Sequence, residues 1–194
     1  MRVGLMVILL MTFLIKPVGA VLPVTAETIG LAQDYGRQNA GLALADFLRA
    51  WTVYEENAER LNDTTDQACF YTPFLLLAAD ARDKTLEGAA VGVSDGKNVL
   101  EPYNCYVVFS ANLFGTEQSL ADGAEAMLRQ GSKTVNAVVV YKVSQPEQVV
   151  DGVLCSKLYI YFMKNVVDLK KPAELTIVND RHERKFYFNL AGFK

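Results

Sequence analysis

The sequence predicts an α+β protein: an N-terminal helical hairpin followed by an antiparallel β-sandwich. Three observations carry this. Apolar residues recur at three- and four-residue steps through the first half of the chain. Beyond Gly88 the period shortens to two. The clearest later run, "VLCSKLYIYFM", keeps one polar face, which is the habit of antiparallel sheets. The chain divides accordingly into a signal peptide over 1–20, a helical region over 21–88 and a β-rich domain over 89–194.

The leader, "MRVGLMVILLMTFLIKPVGA", has Arg2 as a short positive start and an apolar stretch from Val3 to Ile15. Small residues at Val18-Gly19-Ala20 then suit a signal peptidase. The apolar stretch is shorter than the ~20 residues of a bilayer span, so cleavage after Ala20 is expected rather than anchoring. The product is placed outside the cytoplasm, secreted or periplasmic, with no membrane span after cleavage. Losing Arg2 and Lys16 leaves 17 of the 19 basic residues against 22 acidic ones, a net charge of −5. Such a chain is a poor partner for nucleic acid, whose phosphates require basic surface. It also lacks a polybasic run for anionic lipid. The expected partner is an unknown protein or envelope component.

The first helix starts near Ala26 with Thr25 as its cap, weakened by Gly30, Gly36 and Gly41. Leu44, Phe47, Leu48, Trp51, Tyr54, Ala58 and Leu61 then form one stripe, which predicts an amphipathic helix over 44–61. "LNDTTDQA" ends it. Thr72-Pro73 is a hydroxyl cap followed by proline in the first turn, opening a helix that stops at Gly88. Asp80 and Lys84 share its wet face. Two such helices with facing apolar stripes read as an antiparallel hairpin.

Strands follow in "YNCYVVFSANLFG", "TVNAVVVYKV", "VLCSKLYIYFM", "AELTIVN" and "RKFYFNLAGF", and "AAVGV" precedes them with a turn at "SDGK". The segment "TEQSLADGAEAMLRQGSKTV" decides the architecture. Read as a hairpin turning at Gly131-Ser132, it gives a sandwich that resembles the immunoglobulin type. Read as a helix over 117–130, it gives the element order of an NTF2-like cone. The sandwich is the favoured reading.

Chemistry is sparsely signalled. His182 is the only histidine and falls in the charged run "NDRHER" between two strands, so no catalytic residue is assigned. One histidine and three scattered cysteines lack zinc-ligand spacing, and Asp63-Thr64-Thr65-Asp66 lacks the pattern of a calcium loop. No metal and no cofactor are expected. Cys69, Cys105 and Cys155 allow at most one disulfide, without indicating which pair, and three reduced buried thiols are as good a reading. Arg82 falls on the apolar side of its helix. Its structural reading is a stem packed on Leu75 and Leu86 with the head on a carboxylate or backbone carbonyls, and its functional reading is a clamp for an anion. Tyr159 and Tyr161, on the polar face of one strand, are the accompanying ligand-binding candidates, within a wider set of Tyr103, Tyr106 and Tyr141.

The leading functional expectation is a non-enzymatic, envelope-associated interaction module. The alternative is a small-ligand-binding protein or enzyme with a cavity between helices and sheet, lined by Arg82 and inward tyrosines. The mass of the protein purified from its native envelope fraction is expected to match a chain beginning at Val21; a mass retaining residues 1–20 would refute the cleavage site.

Overall fold

The structure, a computed structural model, describes residues 24–143, 145–179 and 182–193, so the predicted signal peptide lies outside the described residues. Helix α1 (Ala26–Gln38) begins where the Thr25 hydroxyl accepts the Thr28 amide. Next comes a short α2 (Leu44–Leu48), running into a 3-10 turn over Arg49–Trp51. Helix α3 (Pro73–Leu86) starts with the Thr72 hydroxyl accepting the Leu75 amide at 3.1 Å, and the chain leaves it through Gly88 at φ +71°. Both caps are the ones the sequence predicts. A final helix α4 (Asp95–Leu100) occupies "DGKNVL", where a turn was expected.

The predicted helix over 44–61 forms only as far as Trp51. Phe47 and Trp51 are buried as its stripe requires, but Tyr54 and Leu61 are exposed. The stripe breaks at Thr52-Val53-Tyr54, whose β-branched and aromatic side chains form strand β1 (Thr52–Tyr54) against β2 (Gln67–Tyr71). Cross-strand pairing thereby overrides a helical pattern that lacked a cap beyond residue 51. The hairpin is consequently made by α1 and α3 across the intervening strands. They approach so closely that a Cβ on Gly36 would stand 2.2 Å from the Ala78 carbonyl oxygen. Gly36 is required there by packing, not by backbone angles.

Two antiparallel sheets complete the fold. The larger holds β1, β2, β3 (Tyr106–Gly115), β8 (Val153–Met163) and β6 (Val139–Lys142) in that order, with β7 (Glu147–Val150) also paired to β8. The smaller holds β10 (His182–Asn189), β9 (Pro172–Asn179), β4 (Glu125–Gln130) and β5 (Lys133–Asn136). Residues 125–130 are thus a strand, turning through Gly131-Ser132 with Gly131 at φ +64° into β5. This overturns the cone alternative, which needed a helix over 117–130. The run "TVNAVVVYKV" also proves to be two strands. The Ala137 amide donates to Ala126 of the smaller sheet and the next amide, Val138, donates to Tyr161 of the larger. The chain changes sheet between adjacent residues, which no periodicity announces.

The predicted boundary at 88/89 does not separate two domains, because β2 pairs with β3 across it. One core lies between the sheets. Phe70, Phe109, Leu158, Ile160 and Phe162 of the larger face Leu128, Leu175, Ile177, Phe186 and Phe188 of the smaller. Phe109 sits at its centre, 5.1 Å from the Phe70 ring, 5.9 Å from Phe162 and 4.9 Å from Phe188. At one end the sheets are also joined by polar groups. The largely buried Asp66 carboxylate takes the Phe114 amide at 2.6 Å and the Arg184 guanidinium. Arg184 in turn donates to Asn179, whose amide donates to the Leu120 carbonyl at 2.7 Å.

The packing gives opposite signs for two glycines of one helix. Gly36→Ala is expected to destabilise by about 1–3 kcal/mol through overpacking against Ala78. Gly30→Ala, which would meet nothing within 4 Å, is expected to stabilise by about 0.5–1 kcal/mol. Thermal denaturation of the two variants checks both, and equal effects would refute the close helix contact.

Candidate functional site

Side chains alternate along a strand, so the residues of β8 that do not enter the core share its other face. There Lys157, Tyr159 and Tyr161 stand half-buried, opposite Leu158, Ile160 and Phe162. Strand register extends each into a row across the larger sheet. Tyr161 lies beside Val108 and then Tyr71; Tyr159 beside Ser110 and Cys69; Lys157 beside Asn112 and Gln67. The helices cover only the β2 side of this face, where Phe47, Trp51, Leu75 and Ala78 pack on Cys69. Between α3 and the uncovered strands runs a groove of about 610 Å³.

Arg82, Tyr159 and Tyr161 all line that groove, joined by Tyr71, Tyr103 and Lys157. Tyr71 packs edge to face with Tyr159, centroids 6.0 Å apart, and Tyr161 with Tyr106 of a neighbouring cavity, 5.8 Å apart. Burial, followed by the neighbouring Tyr159 and Cys69, holds the Tyr71 phenol far above its ordinary range. Burial also raises Tyr161, with Tyr103 and Tyr159 adding to it. These hydroxyls are neutral hydrogen-bonding groups at any physiological pH. Helical spacing does not mark Tyr71, because its segment reads in sequence as the loop between two helices. The β-type run "QACFY" was the signal available for it.

Arg82 serves architecture first. One guanidinium nitrogen donates to the Leu42 carbonyl at 3.0 Å and another reaches Asp83 at 3.3 Å. Its charge lies over the Phe47 ring, 5.4 Å from the centroid. The head therefore ties α3 to the segment leading into α2. Leu86, expected along its stem, is exposed instead. One donor is left over: the buried Nε has no hydrogen-bond partner among the described residues.

The remaining candidates do not join the groove as chemistry. Cys69, Cys105 and Cys155 are free thiols, buried, exposed and half-buried respectively, so the single pair that their number allows is not made. Burial pushes the Cys69 thiol up to about 12. Of the other tyrosines, Tyr141 is largely exposed on β6. His182 is exposed at the start of β10 and lines a separate cavity of about 590 Å³ with Glu117, Ser119, Asn179 and Arg184. Asp66, weighed with Asp63 as an oxygen ligand, is engaged by Arg184. Among the described residues, no group of three or more His, Cys, Asp or Glu side chains converges. No described helix is long and apolar enough to cross a membrane.

Fold and groove together define an α+β protein of two antiparallel sheets with helices on one outer face. No protein-family model and no curated protein matches the chain. Among solved structures, a Burkholderia pseudomallei K96243 protein described as a novel protein of unknown function matches at 9% identity and a TM-score of 0.46. The match covers 86% of this chain and 90% of that one.

Arg82→Met, which keeps the apolar stem and removes the donors and charge, is expected to cost about 1–2 kcal/mol of stability. Urea unfolding measures this; an unchanged midpoint would show that the Leu42 and Phe47 contacts contribute nothing.

Proposed function

We propose that this chain is an exported, non-enzymatic, envelope-associated protein that acts by binding, and that the groove between α3 and the larger sheet is its binding surface. The observation that carries the proposal is that Arg82, more than seventy residues before Tyr159 and Tyr161 in the sequence, lines one groove with them. Aromatic side chains offer large contact area at low entropic cost, and their hydroxyls add directional bonds. The charged groups of α3 along the groove are already occupied. Asp80 pairs with Lys84 at 2.9 Å and Asp83 with Arg82 at 3.3 Å, which supports recognition over acid–base work. Export rests on the leader at 1–20, and the partner is a protein or another envelope component. As part of the same proposal, the two sheets form a sandwich of immunoglobulin type. Their face-to-face packing over a shared core supports this, as does the sheet-changing segment at Ala137-Val138.

A second reading, a small-ligand-binding protein or enzyme, draws on the same groove, since its volume falls in the range of small-molecule sites. Native mass spectrometry of the protein from its own envelope fraction decides between them, with the Tyr159→Ala/Tyr161→Ala double variant beside it. Wild type is expected to carry a bound protein, and the variant to lose it while melting within a few degrees of wild type. A small adduct lost in the same variant would favour the second reading. A bare wild type, or company kept by the variant, would overturn the groove as the binding surface.

A further inference from the structure

The groove does not end at the tyrosines. A second cavity of about 240 Å³ adjoins it, and the two share Leu44, Leu48 and Lys157. Its floor is the polar row of the sheet. Gln67, Asn112 and Lys157 stand on three adjacent strands in direct register, next to Ser110. Neighbours in register on one face hold their side chains about 4.5–5.5 Å apart at Cβ. Three donor-bearing side chains are thereby presented side by side on a rigid platform.

What sets this row apart is that its donors are unused. Lys157 forms no ion pair with any described residue; its ammonium lies 5.1 Å from the Tyr159 ring centroid instead. The carboxamides of Gln67 and Asn112 take no hydrogen-bond partner among the described residues either. Elsewhere along the groove charge is balanced, Asp80 by Lys84 and Asp83 by Arg82. Among the described residues Lys157 is thus the groove charge without an ion-pair partner, in a chain whose overall charge is negative. A half-buried ammonium flanked by amide donors fits a group with several acceptor oxygens and a negative charge. The tyrosine wall running from it fits an apolar body.

We infer that the groove binds a ligand carrying an oxyanion, a carboxylate or phosphate, on an apolar or aromatic body. The oxyanion sits on Lys157, Asn112 and Gln67, and the body lies along Tyr159, Tyr71 and Tyr161. This rests on the groove being the binding surface and adds the chemistry of what it takes.

The test uses two fluorescent probes of matched shape, anilinonaphthalenesulfonate and its uncharged parent phenylnaphthylamine. Wild type is expected to bind the charged probe roughly tenfold more tightly than the uncharged one. Lys157→Met is expected to erase that difference while leaving the uncharged probe's affinity in place. Asn112→Ala is expected to reduce the difference by about threefold, and it carries the comparison if Lys157→Met does not fold. Tyr159→Ala is expected to weaken both probes alike. A charged-probe advantage that survives in Lys157→Met and in Asn112→Ala overturns the oxyanion assignment. If Tyr159→Ala still weakens both probes, the groove itself stands. Failure of wild type to bind either probe overturns both.

Discussion

The pairing of β3 with β8 sets Phe109 opposite Ile160 and Ser110 opposite Tyr159. Because side chains alternate, those two pairs lie on opposite faces of the larger sheet. A slip of one residue in β8 would carry Lys157, Tyr159 and Tyr161 into the core and expose Leu158, Ile160 and Phe162. The core is therefore what holds the groove in place. Fully burying one large apolar side chain is worth about 1.5–3 kcal/mol, so inverting three of them would cost an amount comparable with the whole margin of a marginally stable domain. The groove residues need no interactions of their own to stay in register.

The polar junction at the end of the sheets works differently. Asp66, Phe114, Arg184, Asn179 and Leu120 come from five separate stretches, and the buried carboxylate and guanidinium satisfy one another with further bonds on each side. A buried ion pair contributes little net stability over an apolar replacement, whereas losing one partner costs about 3–5 kcal/mol. The junction ties the segment before β2, β3, β9 and β10 together at one end of the two sheets. The chain's passage between sheets at Ala137-Val138 makes a second connection through two consecutive amides.

The helices add the groove's second wall. The α1–α3 contact through Gly36 and the Arg82 tie to Leu42 position α2 and α3 over β2 while leaving β8 and β6 uncovered on that face. Arg82 is thus architectural at its two outer nitrogens and part of the groove wall at the same time. An arginine can do both because its planar head carries five donors.

Local physics made much of this legible. The Thr25 and Thr72 caps, proline in the first turn of α3, the exit through Gly88, the hairpin at Gly131-Ser132 and the two faces of β8 follow from side-chain type and spacing alone. So did Arg82, Tyr159 and Tyr161 as residues worth watching, because a charge on an oily face and tyrosines on a polar one stand out in a line of letters. Tertiary structure alone decided that residues 52–54 pair as a strand, that "TVNAVVVYKV" serves two sheets, and that Asp66 meets Arg184. It alone set Gln67, Asn112 and Lys157 in one row. The reason is common to all of these. A periodic pattern reports which face of an element is apolar, whereas the identity of its neighbour is chosen by the free energy of contacts between segments distant in sequence, and no single segment encodes it.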